Sequence, residues 1–402
     1  MKITHVETRH ADGGYRTCHY VKITTDEGLV GWSEYYQNLS SAPVTPIIDD
    51  LSQLAIGQDP TAFAMLSESL LATTRLTAGG VAHQAVAAIE NACLDIAGKA
   101  RGVPVYALLG GPFRTRLPLY WTHCGSYRLR HKSFYEEELG MEPVNTLADF
   151  VRLGREARAQ GFTAVKTNPV TPHEGELRML NSGFRMAPGF LDRSIPDAQI
   201  AQIEDQLHAL REGLGPDISL MLDVGFSQRT EGYLRLARRL SPLGLYWLEL
   251  DIRDPESLTL IRQASDTPIA SLEALHGIGD YRPYLAARCV DTAIVDPMWN
   301  GIWQSTRIAT LADAFEMHIA PHNPVGDLGS LMSAHLCAAI PNFRIMEYRA
   351  DEAPWIRGYL THPPMIKDGH MSISNRPGWG SDIDEDALAS RPPRQAPMRY
   401  NS

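Results

Sequence analysis

Three acidic residues close three successive apolar runs: Asp223 in SLMLDVG, Glu249 in LYWLELD and Glu273 in PIASLEA. They lie 26 and 24 residues apart, and Asp296 in TAIVDP and His322 in HIAPHN continue the rhythm at 23 and 26. A triad of carboxylates suits Mg²⁺, a hard cation that prefers oxygen ligands and keeps positions open for water or substrate. Zinc would call for Cys or a tight His pair. A metal held there would bind a substrate carboxylate and stabilise the dianion formed when a proton leaves the neighbouring carbon. On adjacent strand ends Asp296 can orient the His322 imidazole and raise its basicity, which makes His322 a candidate general base or acid. Lys166, ending FTAVKTN, points to the same centre and can bind or polarise the carboxylate. Asn168 lies two residues on, on the same face by strand alternation, and can hydrogen-bond but not accept a proton near neutral pH. Glu347, ending FRIMEY, is a candidate partner for a substrate hydroxyl, with a structural role as the alternative.

The elements that would bring these residues together follow from the same spacing. A barrel of eight strand-helix units takes roughly 250 residues, about 25 to 31 per unit, and its catalytic side chains sit at strand C-termini. Eight runs qualify as strands: LPLYWTHC, FTAVKTN, ISLMLDV, LYWLELD, PIASLEA, TAIVDPM, HIAPHN and FRIMEY. Amphipathic stretches such as 197–213 and 302–316 separate them. This predicts a (β/α)8 TIM-type barrel over 113–362; no glycine-rich phosphate loop supports a doubly wound sheet. Residues 1–112 read as an α+β capping domain, with strands at 2–8 and 17–25, a turn at Asp26-Glu27-Gly28 into a third strand, and helices at about 43–56, 61–73 and 80–101. Gly102, Pro104, Gly110-Gly111 and Pro112 mark the boundary. Residues 363–402 read as a segment returning to the capping domain, with a poorly ordered tail after 390.

If the capping domain covers the barrel mouth, His10, Arg16, Tyr35 and Tyr36 can read distal substrate hydroxyls. Two connections, 124–144 and 169–194, exceed the usual loop length and are expected to act as lids or substrate contacts, or else as oligomer contacts or mobile insertions. His173, Arg185 and Arg193 in the second share the substrate-binding expectation.

Composition narrows the class. A chain of 402 residues with 44% hydrophobic and 21% charged residues is an ordinary globular protein of two domains. Its net charge of −10 argues against sequence-independent binding of nucleic acid. Five scattered cysteines without a CxxC pair predict reduced thiols in the cytoplasm. Neither a signal peptide nor an apolar run long enough for a membrane span is present, so no membrane partner is expected. A small-molecule carboxylate is the expected partner, and a homo-oligomer the expected assembly.

Taken together, the chain resembles the enolase superfamily, and within it the mandelate racemase-like branch. TTDEGLVGWSE is similar to the family's small-domain meander, AIENACLDIAGKARGVPVYALLGG to its helix and double-glycine boundary, and the barrel motifs follow. The resemblance implies Mg²⁺ held by Asp223, Glu249 and Glu273, a His322–Asp296 dyad, and Lys166 in the first position of a Lys-x-Lys motif. Asn168 stands where many relatives carry a second lysine as base, and no histidine lies two residues after Asp223. A single base suffices for a sugar-acid dehydratase: proton abstraction by His322, an enediolate, and syn loss of the 3-hydroxyl to a 2-keto-3-deoxy acid. The segments VTPHEGE and RPGWGSDI resemble rhamnonate-type dehydratases. WLELD, SLE and MWNGIW depart from the family's usual residues around the ligands. A racemase, epimerase or cycloisomerase using Lys166 as second base, and a catalytically lapsed metal-binding barrel, are the alternatives.

Overall fold

The computed structural model describes residues 1–37, 43–180 and 194–394. Alternating and β-branched residues in the first segments form an antiparallel meander of β1 (Ile3–Asp12), β2 (Thr17–Thr25) and β3 (Val30–Tyr35). Three helices pack on it: α1 (Val44–Ala55), α2 (Phe63–Thr73) and α3 (Gly80–Arg101). The helical repeat of small and branched residues along α3, Ala85, Ala88, Ile89, Ala92 and Ile96, is fully buried in the capping-domain core. Close approach there requires Gly31 on β3, because a Cβ would stand 2.2 Å from the Ala92 carbonyl oxygen. Gly102, at φ 65°, ends α3 in the left-handed conformation that glycine adopts without strain.

The barrel strands are β4 (Arg116–Trp121), β5 (Ala164–Thr167), β8 (Ser219–Asp223), β9 (Trp247–Glu249), β10 (Ile269–Ser271), β11 (Thr292–Val295), β12 (His318–Pro321) and β13 (Met346–Tyr348). A hairpin of β6 (Val170–His173) and β7 (Glu176–Met179) follows β5. The parallel order is β12-β11-β10-β9-β8-β5-β4-β13, and a bridge between Ile319 and Phe343 closes the ring. All eight expected runs are therefore strands. One layer of its interior is filled by Tyr120, Ala164, Met221, Trp247, Ala270, Ile294, Ala320 and Ile345, one from each run, with large residues set against alanines.

The long connections are structured where they are described. Residues 126–130 and 134–138 are helical, and Arg128, nearly buried, holds that segment through Glu156 at 2.7 Å and Asp351 at 2.7 Å. The expected insertion 169–194 includes the β6–β7 hairpin; Arg185 and Arg193 lie outside the described residues, as does the tail from 395.

After the barrel, β14 (Met365–Lys367) and β15 (His370–Ser372) form a hairpin, and β15 pairs with the first residues of β4 at the barrel's N-terminal end. The chain touches the capping domain before this hairpin, where the Trp355 indole and the Tyr359 hydroxyl donate to the Asp12 carbonyl, and returns to it afterwards. Asp95 of α3, with no exposed surface, accepts from the Trp379 and Trp32 amides, both at 2.9 Å, and from Lys99 at 2.7 Å. Lys99 also binds Asp382.

The capping domain also caps barrel helices. Glu34 accepts from the Gly326 and Gly329 amides at the start of the helix Asp327–Ala339. Glu90 and Asn91 of α3 accept from the Trp303 and Ile302 amides of the helix Ile302–Ala314. These N-terminal amides have no partners within their own helices, so each cap binds one domain to the other.

Asp95→Ala would leave the two buried amides of Trp32 and Trp379 without their acceptor and remove one of the partners of Lys99. Loss of such a buried group costs on the order of 3 kcal/mol, and urea unfolding should show that decrease in stability.

Candidate active site

Strand alternation places the site. Two residues beyond each interior filler, on the same inward face, lie Thr122, Lys166, Asp223, Glu249, Asp296, His322 and Glu347. On β10 that rule yields Leu272 rather than Glu273. Leu272 adopts φ 93°, a conformation costly for a non-glycine residue, and the kink moves the next side chain, Glu273, toward the site. The kink is held by Asp251, whose Oδ1 accepts from the Leu272 amide at 3.1 Å and the Ser271 hydroxyl at 3.2 Å. Asp251 is absent from the candidates legible in the sequence. Its signal was two-residue spacing from Glu249.

Charge balance dominates the geometry. Lys166 Nζ donates to both Oε1 and Oε2 of Glu249 at 2.9 Å, lies 3.3 Å from Glu347 and 4.0 Å from Asp223. Burial opposes its charge, but Glu249 and Glu347 keep the ammonium protonated, well above its ordinary range. In this state Lys166 is a fixed cation rather than a base. Burial pushes Glu249 up to about 7 against the pull of Lys166, and raises Glu273 well above the usual carboxylate range. Glu347 goes the other way: Lys166 and His322 outweigh its burial and hold it deprotonated. Its oxygens are occupied by the Thr122 hydroxyl at 2.5 Å and the Asn323 amide at 2.7 Å, so Glu347 organises neighbouring loops.

His322 Nδ1 donates to Asp296 Oδ2 at 2.7 Å, which leaves Nε2 directed toward Glu273, 3.6 Å away. Asp296 is locked in turn by the Met298 and Trp299 amides at 2.7 and 3.0 Å. Burial lowers the His322 pKa, but Glu273 and Asp296 overcome it and raise the imidazole to about 10. Trp299 packs against His322 with ring centroids 5.0 Å apart, and His276 stacks on Trp299. Trp299 Nε1 and His276 Nε2 are buried without a hydrogen-bond partner among the described residues. Both were missed in the sequence, where aromatic residues and lone histidines carry little positional signal.

The donor set fits a hard divalent cation in its chemistry. Asp223 and Glu249 are register partners on β8 and β9, and Glu273 follows the adjacent β10; burial raises the proton affinity of Glu249 and Glu273, and the neighbouring acids, Asp223 among them, add to it. Their side chains are closed on Lys166 and His322; among the described residues, no three acidic, His or Cys side chains converge on one centre.

Of the remaining candidates, Asn168 stays beside the acids and the others are engaged elsewhere. Asn168 donates to the Asp223 carbonyl and carboxylate, both at 3.2 Å. Arg16 is buried between Glu352 at 3.0 Å and Glu34 at 3.7 Å, an interdomain ion pair. The Tyr35 hydroxyl bonds Thr45 at 2.6 Å, His10 pairs with His19 at 2.9 Å, and Tyr36 packs half-buried on the core. His173 is exposed at the tip of the β6–β7 hairpin.

Comparison with known proteins adds the lineage. A family model described as "Mandelate racemase / muconate lactonizing enzyme, N-terminal domain" matches residues 7–110, and one described as "Enolase C-terminal domain-like" matches 149–387. The chain is 30% identical to a D-galactonate dehydratase family member of Streptomyces bingchenggensis, over 93% of this chain and 89% of that one. It is 29% identical to a D-xylonate dehydratase of Haloferax volcanii, over 96% and 88%. A Burkholderia xenovorans LB400 crystal structure, provisionally named an L-alanine-DL-glutamate epimerase, superposes with a TM-score of 0.95 at 39% identity, covering 99% of this chain and 100% of that one. The Burkholderia protein has also been solved bound to magnesium and fumarate.

NMR titration of the metal-free protein should find His322 protonated until about pH 10. Because the folded pKa is raised, the dyad's stabilisation is fully present below the ordinary histidine value near 6.5 and is lost as pH rises through about 10. Asp296→Asn should move the midpoint down by at least one pH unit.

Proposed function

The chain belongs to the mandelate racemase–muconate lactonizing enzyme branch of the enolase superfamily, and from that premise we propose that it is a Mg²⁺-dependent dehydratase of a sugar acid, an aldonate or aldarate. The observation that carries this reading is the buried His322–Asp296 dyad aimed at the acids of the neighbouring strands. Asp223, Glu249 and Glu273 would hold Mg²⁺, which when bound supplies positive charge opposite the anion that develops on the substrate.

The chain's own residues perform the proton transfers. Neutralising Glu273 removes the largest influence raising His322, so its pKa falls toward the range of a working base. Nε2 of His322 then takes the proton from the carbon beside the carboxylate, while Asp296 holds Nδ1–H and stabilises the imidazolium. The same Nε2 returns that proton to the departing 3-hydroxyl, which leaves as water from the same side. The enol tautomerises to a 2-keto-3-deoxy acid. Lys166, anchored and charged, lies where it can meet the substrate carboxylate. The unpartnered nitrogens of Trp299 and His276 match a substrate rich in hydroxyls, and the dehydratase names of the Streptomyces and Haloferax relatives support the reaction class. An epimerase is the second reading, favoured by the name of the Burkholderia relative.

The test is a keto-acid assay with Mg²⁺ across aldonic, deoxyaldonic and aldaric acids. His322→Asn should abolish turnover, by about 10³-fold or more, while Mg²⁺ binding measured by calorimetry persists; turnover retained in that variant refutes the role given to His322. Absence of keto acid, with deuterium entering C2 in D₂O, selects epimerisation.

Two further outcomes concern the metal. With Glu249 at about 7, protons compete with the cation, so Mg²⁺ affinity should fall as pH drops from 8 to 6, with proton release on binding. Asp251→Ala, which frees the Leu272 kink, should weaken Mg²⁺ binding about 10- to 100-fold, whereas Asp251→Asn keeps an acceptor and should lose less.

A further inference from the structure

Of the six non-glycine residues with positive φ among the described residues, two stand just beyond the C-terminal ends of barrel strands: Leu272, already placed beside Glu273, and His123. His123 follows β4 at φ 54°. Strain of this kind persists where the surroundings demand a particular side-chain direction.

The hydrogen bonds around His123 determine its tautomer. The Asp223 carboxylate and carbonyl only accept, so the Asn168 amide must present its NH₂ group to them. Asn168 Oδ1 is thereby turned to the other side, where it accepts from the Ser126 hydroxyl at 2.8 Å and meets His123 Nδ1 at 2.7 Å. Nδ1 therefore carries the proton, and Nε2 keeps its lone pair. Tyr127 stacks on the ring at 3.8 Å and 11°, which fixes its plane. Nε2 makes no hydrogen bond to a described residue.

The surroundings also place His123 in the site. Glu347 and Lys166 lie close enough to act on its charge, and Glu347 feels both His123 and His322. In the ring, β13 with Glu347 lies between β12, which leads to His322, and β4, which leads to His123. The segments that carry the two imidazoles thus leave the barrel on either side of β13, and both rings act on the Glu347 charge. Burial and nearby Arg349 lower the proton affinity of His123 well below the ordinary histidine range, so the ring rests neutral, while Glu347 favours the protonated form that follows proton abstraction.

We propose that His123 is a second base, acting through Nε2 on the face of the substrate opposite His322, so that the protein takes both C2 epimers of its acid sugar. The proposal rests on the enediolate chemistry of the proposed function. With the second epimer, the C2–H bond breaks, its proton goes to His123 Nε2, and its electron pair enters the same planar enediolate. Loss of the 3-hydroxyl with the proton of protonated His322 yields the same keto acid plus water, and both imidazoles regain their starting states by exchange with solvent. Return of the His322 proton to C2 instead yields the first epimer. Asn168, unable to act as a base, is the positioning residue that fixes the tautomer of His123.

The experiment follows C2 deuteration and keto-acid formation by proton NMR in D₂O, with Mg²⁺ and pairs of C2-epimeric aldonates, for wild type, His123→Gln, His123→Asn and His322→Asn. The wild type should exchange C2–H in both members of at least one pair. The ratio of the two exchange rates should shift about 100-fold in one direction in His123→Gln and in the opposite direction in His322→Asn. A merely structural histidine would slow both epimers alike, and that result overturns the proposal. Should His123→Gln fail to fold, His123→Asn supplies the same ratio. Wild type acting on one epimer of every pair overturns the proposal without any variant. Exchange of both epimers without keto acid refutes dehydration and sustains the second base. Inertness toward all pairs refutes both.

Discussion

Burial of a cluster of carboxylates, reinforced by repulsion among them, governs this molecule. Asp223, Glu249, Asp251, Glu273, Asp296 and Glu347 gather at one end of the barrel, and burial raises the proton affinity of Glu249, Asp251, Glu273 and Asp296. Lys166 and His322 are the cations that offset it, each drawn to the acids nearest to it. An isolated buried charge is so costly that such a group neutralises or finds a partner. A divalent cation among these acids would relieve the same repulsion more fully, and it would release Lys166 and His322 for substrate. Burial and repulsion thus put this cluster of charges under tension, which would favour a divalent cation in the function proposed.

The fold is arranged to hold that tension. The barrel's interior layer sets the inward direction on every strand, and seven strand ends deliver a polar side chain two residues later. The eighth reaches the site through a strained Leu272, braced by Asp251. Across the molecule, Glu34, Glu90 and Asn91 of the capping domain complete the first turns of two helices that follow β11 and β12. Those strands lead to Asp296 and His322. The capping domain thus braces the dyad from behind, and its Arg16 belongs to that brace through Glu34 and Glu352.

Much of the architecture was legible in the chain because periodicity is a local property. Apolar runs of fixed spacing marked all eight barrel strands, and the acids ending them were recognisable as one set. The combination of TTDEGLVGWSE, the double glycine and the ordered acids was specific enough to identify the family, which the matches over 7–110 and 149–387 show. The helical pattern over α3 was likewise readable, since one face of small residues repeats along it.

What could not be read were relations between residues far apart in sequence. Asp251 has a meaning only once Leu272 is seen to bend, and His123 only once Asn168 is turned by Asp223. Arg16 has the charge of a substrate-binding residue, but two glutamates 18 and 336 positions away occupy it. The sequence by itself determined the fold class and the order of acids and histidine at the strand ends, because these depend on side-chain type and on a repeat that each strand carries locally. Tertiary structure alone decided which polar atoms are spent on one another and which remain open, because hydrogen bonds and buried charges are satisfied by proximity in space.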